Sequence, residues 1–215
     1  MSGCDCEIEI QNNSEKSVLV ILLAINAGMF FVEFIFGWIA QSTGLIADSF
    51  DMFADAAVYA VSLYAVGRSL KTKSGAAFTS GILQLILGAG VFADVIRRTI
   101  SGSSPLSMYM VGIGIVALIA NTICVILISK HKDGEVHMRA SWIFTKNDLL
   151  ANAGVIISGF LVYRFATPWP DLIIGALIAS LVIYGGIRII RDSLPGLRST
   201  QNTCEQIPLN KTQPE

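Results

Sequence analysis

Charge is scarce in this chain. Asp, Glu, Lys and Arg make up 14% of its 215 residues, against about 25% in ordinary globular proteins. What charge there is comes in clusters between long uncharged stretches. That pattern excludes a soluble enzyme with a large core and points to a polytopic membrane protein. The net charge is -1, so nothing draws nucleic acid electrostatically. Four cysteines, Cys4, Cys6, Cys124 and Cys204, are too scattered for a disulfide framework. Histidine is scarcer still: His131 and His137 are the only two, both between the fourth and fifth apolar runs. No apolar run offers a histidine for haem or a serine–histidine pair for nucleophilic chemistry. The expectation is therefore no enzyme and no permanently bound cofactor. The first fourteen residues, "MSGCDCEIEIQNNS", hold no Lys or Arg. Without a basic n-region a cleavable signal peptide is not expected, and the first apolar run is read as a retained span.

Long apolar runs are abundant. A spanning helix needs about 20 mostly apolar residues. Six candidates qualify: Ser17 to Ala40, Gly44 to Val66, Gly75 to Ile96, Pro105 to Ser129, Ala140 to Ala166 and Pro168 to Ile190. They are too long and continuous for barrel strands, and within a bilayer only helices or closed barrels satisfy the backbone. The predicted fold is an all-α membrane protein of six transmembrane helices. The division is a polar tail with a CxC over 1–16, a six-helix transmembrane domain over 17–191, and a flexible polar tail over 192–215. Lys and Arg in short loops favour the cytoplasm. Arg68, Lys71, Lys73, Lys130, Lys132, Arg139, Arg188, Arg191 and Arg198 lie on one side. Arg97, Arg98 and Arg164 lie on the other. The bias puts both termini in the cytoplasm, with Arg97 and Arg98 voting against it.

The second run carries "DSFDMFADA", with Asp48, Asp51 and Asp55. An acid deep in a bilayer costs at least about 2.5–3.5 kcal/mol, and such residues mark ion paths or proton relays. At about 100° per residue, Asp51 and Asp55 lie about 40° apart and one turn apart, with Asp48 about 60° to the other side of Asp51. All three fit one stripe. Helix 5 repeats the i, i+4 spacing with Asp148 and Asn152, and helix 1 adds Glu33. Counted at 1.5 Å per residue, both pairs fall about 10–18 Å along their helices. Those depths coincide near mid-membrane, because helix 2 and helix 5 run in opposite directions. If the helices touch, Asp51, Asp55, Asp148 and Asn152 form a four-oxygen cage suited to a divalent cation. The competing reading is a structural polar network. For Asp48 the plainer role, a hydrogen-bonding partner inside the helix, is preferred to ligation; Glu33 either lines the path or pairs with a neighbouring helix.

Lesser features are weighed the same way. Asp94 is expected to pair with Arg97 or Arg98. Asp171, after "PWP", is expected to cap its own helix. Cys4 and Cys6 offer two thiols for metal capture, an incomplete site by themselves. His131 and His137, in "HKDGEVH", either collect metal at the cytoplasmic mouth or flank a solvated turn around Gly134. The small-residue faces "GAAFTSG" and "LGAGVFA" are expected to serve close helix packing.

These residues resemble the cation diffusion facilitator family over about residues 17 to 192. "GLIADSFDMFADA" is similar to that family's helix 2 motif, with its metal pair at Asp51 and Asp55. "VHMRASWIFTKNDLLANAGVI" is similar to its helix 5 entry, with the second pair at Asp148 and Asn152. The resemblance implies a homodimeric exporter of divalent metal, driven by proton counter-transport through alternating access. A prokaryotic cell membrane is the expected location. Zinc is the family's commonest substrate class and the first expectation, with cadmium, cobalt, manganese and iron behind it. Two departures bear on this. The pairs contain no histidine and end in Asn152 where an aspartate is usual, a harder site that favours manganese or iron. After helix 6 the family usually adds a soluble metal-sensing, dimerising domain; here about 24 residues follow, so any dimer is expected to rest on membrane contacts. The alternative is a non-transporting membrane protein whose acids form a structural or catalytic network. Metal-dependent proton movement separates the two.

Overall fold

The computed structural model describes the backbone of residues 13–64, 70–129 and 136–204, with side chains described for 16–64, 71–129 and 148–197. Six helices follow one another: α1 Asn13–Ile39, α2 Thr43–Tyr64, α3 Leu70–Ser101, α4 Ser107–Ser129, α5 Val136–Phe165 and α6 Trp169–Cys204. Five of them, all but α2, contain a window long and apolar enough to cross a membrane. α2 has 22 residues, about 33 Å at 1.5 Å each, which is enough length. What it lacks is apolar composition, because of its three aspartates.

The packing resolves that conflict. α1 packs mainly on α2, α4 on α5 and α3 on α6, while α2 touches all five other helices. The helix with three acids inside its apolar run is thus the one that touches all the rest. Large apolar side chains cover the outside instead: Trp38, Leu150, Ile100, Met108 and Tyr163 are all exposed. A soluble protein rarely shows apolar surface on this scale; a lipid-facing surface requires it.

Three apolar layers stack along the bundle. Near the α1–α2 turn a cluster gathers Ala40, Leu45, Met110, Val155, Val162 and Ile178. Met29, Met52 and Ala117 form the middle layer. Leu19, Leu22, Tyr59, Cys124 and Ile128 close the opposite end.

The α1–α2 turn is clamped from two sides. Ser42 caps α2, its Oγ accepting from Leu45 N at 3.1 Å. Asp171 of α6 takes the two donors that Ser42 leaves: Thr43 N at 2.7 Å and Gly44 N at 3.0 Å. It also accepts from Ser42 Oγ at 2.6 Å. Ser42 N closes the set on Gly37 O at 3.0 Å. All four orphan donors of the α2 N-terminus are therefore satisfied, and a carboxylate sits where the helix dipole favours one. Asp171 is a cap, as expected, but of α2 and not of its own helix. From α3, Arg98 donates to the Gln41 carbonyl, and Gln41 has a positive φ of 52°. Arg98 also bonds Asp94 at 2.5 Å, and Arg97 bonds the same carboxylate at 2.6 Å. The expected Asp94 pairing holds, with both arginines.

Four helices run past the expected apolar limits. α1 starts at Asn13, inside the segment read as a tail over 1–16. α3 is longer at both ends than 75–96. α5 begins at Val136, so the backbone of His137 lies in its first turn and not in a loop. α6 continues to Cys204, across the boundary drawn at 191 and through Pro195. A helix satisfies its backbone internally in water as well as in lipid, so the end of an apolar run does not stop it. Pro195 removes one N–H, while Ser193 Oγ bonds Ile190 O at 2.8 Å just before it. Cys4, Cys6 and His131 lie outside the described residues, as does the side chain of His137.

Of the glycines in the small-residue faces of α3, Gly81 and Gly88 pack closely on α6, while Gly75 and Gly90 meet nothing within 4 Å. A Cβ on Gly81 would lie 2.7 Å from Ile190 Cγ1 and 2.9 Å from the Gly186 carbonyl. Backbone cannot yield there. Gly81→Ala should therefore cost about 1–3 kcal/mol through overpacking, read as a lower unfolding midpoint in detergent. Gly90→Ala on the same helix meets nothing within 4 Å and should leave the midpoint unchanged or raise it.

Candidate metal path

α2 brings its stripe into the bundle at the level where α1 and α5 also present polar side chains. Asp48 and Glu33 are buried at 1% and 0% exposure, Asp148 at 6% and Asn152 at 0%; Asp51 and Asp55 are half-buried. The five acids form one electrostatic group. Glu33 faces Asp48 and Asp51, and Asp51 faces Asp48 and Asp55. Asp148 interacts with Asp55, Asp51 and Asp48, with Asp55 foremost. Tyr59 Oη donates to Asp55 Oδ2 at 3.4 Å, one turn along α2. Helix 2 and helix 5 meet as expected, and Asp51, Asp55 and Asp148 lie within electrostatic reach of one another.

Asn152 stands one turn beyond Asp148. Its Nδ2 donates to the Asp148 carbonyl at 2.7 Å, which leaves Oδ1 buried without a hydrogen-bond partner. Both Glu33 oxygens, Asp48 Oδ2 and Asp148 Oδ2 are also buried and unpartnered. Such atoms cost roughly 1–3 kcal/mol each, more when charged. Among the described residues none of the five acids has a salt bridge; the ion pairs there belong to Asp94 and Asp192. A like-charged, water-poor cluster without a cationic side chain needs its positive charge from elsewhere, as a proton or a metal ion. As the side chains stand, no three His, Cys, Asp or Glu among the described residues are gathered tightly enough to hold a metal ion.

A cleft of about 220 Å³ opens beside Trp38, Gln41, Arg97, Arg98, Gly102 and Ser103. Its arginines repel cations, and none of the five acids lines it.

Two polar residues escaped the sequence reading of the path. Asn26 on α1 and Asn121 on α4 are both fully buried. Asn26 Oδ1 and both amide atoms of Asn121 have no hydrogen-bond partner. Asn26 Nδ2 bonds Leu22 O at 2.9 Å and faces Cys124 Sγ at 3.9 Å. Asparagine within an apolar run was the available signal; lacking charge, it did not stand out beside the aspartates.

The Cation efflux transmembrane domain family matches residues 19–197. Among curated relatives, zinc transporter ZitB from Yersinia pseudotuberculosis serotype I is 25% identical over 214 residues, 93% of this chain and 67% of that protein. A cadmium, cobalt and zinc/H(+)-K(+) antiporter from Bacillus velezensis is 23% identical over 195 residues, 84% of this chain and 62% of that protein. A probable zinc transporter, MSC2 of Saccharomyces cerevisiae, is 27% identical over 210 residues, 88% of this chain but 28% of that protein. The chain thus spans about two thirds of the bacterial relatives it matches. With a family match over most of its length and five apolar helices around an acidic sixth, this chain is a multi-pass membrane protein and belongs to the cation efflux family.

Proposed function

We propose that the chain exports a divalent metal cation from the cytoplasm in exchange for protons. All six helices cross the membrane, with both termini in the cytoplasm and the protein working as a homodimer in a prokaryotic cell membrane. Asp51 and Asp55 of α2, with Asp148 and Asn152 of α5, hold the ion in transit. The observation that carries this reading is the convergence of Asp51, Asp55 and Asp148 inside the bundle, with no cationic side chain beside them among the described residues. Glu33 and Asp48 extend the charged path toward α1. Cys4, Cys6, His131 and His137 are kept as capture points on the cytoplasmic side.

The exchange follows from competition at the same oxygens. A carboxylate that binds a metal ion must give up its proton, and a proton that returns weakens the metal. Release toward the more acidic side is then downhill. Zinc is the first candidate, supported by the substrates named for the relatives. The all-oxygen set, with an amide in place of a fourth carboxylate, keeps manganese and iron in the comparison.

The test is flux in proteoliposomes that report both metal and pH, screened over zinc, cadmium, cobalt, manganese and iron. Metal and protons should move in opposite directions. Uptake driven by a fixed metal gradient should fall as the metal-loading side is made more acidic, because protons then occupy the carboxylates. No flux of any metal from folded protein would favour the structural-network reading.

A further inference from the structure

We propose that Cys124, Asn26 and Asn121 form, with Asp55, a second ligand set for thiophilic divalent cations, beside the carboxylate site. The placement comes from the layers. On α1, Asn26 stands between Leu22 and Met29; on α4, Asn121 stands between Ala117 and Cys124; on α2, Asp55 stands between Met52 and Tyr59. In each helix the flanking residues belong to the same two apolar clusters. Spacings of three and four residues keep each set on one helix face. The three polar residues therefore occupy one layer, framed by apolar side chains above and below.

Within that layer the donors are oriented. Asn26 commits its Nδ2 to Leu22 O and toward Cys124 Sγ, which presents Oδ1, buried and unpartnered. Asn121 keeps both amide atoms unpartnered at 0% exposure. Cys124, equally buried, lies within electrostatic reach of Asp55. Buried polar atoms almost always find a partner, so the open amide atoms of Asn26, beside the Cys124 thiol, and of Asn121, one turn from it, point to a ligand. One sulfur, two amide oxygens and one carboxylate oxygen make four donors. Sulfur favours zinc and cadmium over manganese. On binding, the cation displaces the thiol proton to the aqueous side from which it came, and sulfur donates a lone pair as thiolate. The carboxylate cage is hard; this set adds the one soft donor near it, and so bears on which metal is taken.

The inference rests on the metal-export reading for what reaches the site, and its test separates the two. The full chain is prepared with Cys4, Cys6 and Cys204 replaced by serine, leaving Cys124 as the sole thiol. Cadmium alone is titrated in detergent, and the ultraviolet thiolate-to-cadmium charge-transfer band is followed. The band should rise with one cadmium per chain, vanish in Cys124→Ala, and require at least tenfold more cadmium in Asn121→Ala and Asn26→Ala. In proteoliposomes, Cys124→Ser should lower cadmium flux about tenfold relative to manganese flux. Retained manganese flux shows that this variant folds; where it is lost, the titration of the sole-thiol protein decides. Absence of the band, or a band indifferent to both asparagines, overturns the site. An unchanged cadmium-to-manganese ratio overturns its part in selection. Absence of flux for every metal, with the band intact, overturns export and leaves the site standing.

Discussion

Asp51→Ala should reduce metal flux by more than about a hundredfold while leaving the protein folded. Loss of a residue that merely supports a ligand costs about 10–100-fold, so loss of a ligand should reach or exceed the upper end. The stability effect should have the opposite sign. Asp51 stands among Glu33, Asp48, Asp55 and Asp148 with no salt bridge among the described residues. Each such acid carries an insertion cost of about 2.5–3.5 kcal/mol. Removing one should leave the unfolding midpoint in detergent unchanged or higher. Asp51→Asn, nearly isosteric, should lose flux to a similar degree, because charge is what the cation needs. A variant that transports normally would remove Asp51 from the path. One that loses flux and unfolds together would mean the acids hold the bundle.

The second large effect concerns folding. Asp171→Ala removes the acceptor for Thr43 N, Gly44 N and Ser42 Oγ in one step. Those groups are buried, and each buried donor left without a partner costs roughly 1–3 kcal/mol. The loss should total about 3 kcal/mol or more, with water entry to the turn offsetting part of it. It should appear as a lower unfolding midpoint and as faster hydrogen exchange at Thr43 and Gly44 than at Ala54. Asp171→Asn keeps one acceptor oxygen and should recover part of the stability. Unchanged exchange at Thr43 and Gly44 would show that Ser42 alone holds the turn.

The two variants mark what could be read from the residues and what could not. The helices and their order were legible because lipid demands long apolar runs, and because a charge inside such a run is expensive enough to stand out. The matched spacing of Asp51 with Asp55 and of Asp148 with Asn152 carried the meeting of α2 and α5. Partners far apart in the chain were not legible. Nothing near Asp171 shows that its carboxylate will be spent on Thr43, 128 positions away. Helix ends were blurred at α1, α3, α5 and α6, since polar residues continue a helix into water as readily as apolar ones do through lipid. Asn26 and Asn121 passed unremarked because an amide perturbs hydropathy far less than an acid does. Their significance appears only when their open hydrogen-bonding atoms are seen enclosed between the same two layers.

The clamp on the α1–α2 turn also sets how α2 can move. Thr43 and Gly44 are tied to α6 through Asp171, and Gln41 is tied to α3 through Arg98. Both ties sit at the very start of α2 or just before it. A rod fixed at one end pivots there, and its displacement grows with distance from the pivot. Asp51 lies about 12 Å from Thr43 and Tyr64 about 32 Å, at 1.5 Å per residue. A tilt of about 10° would then carry Asp51 by about 2 Å and Tyr64 by about 5–6 Å. Two ångströms is the scale on which a coordination shell opens or closes. One small rotation about the Asp171 anchor would thus loosen the grip on a cation and part the Leu22–Tyr59–Cys124 layer in the same stroke.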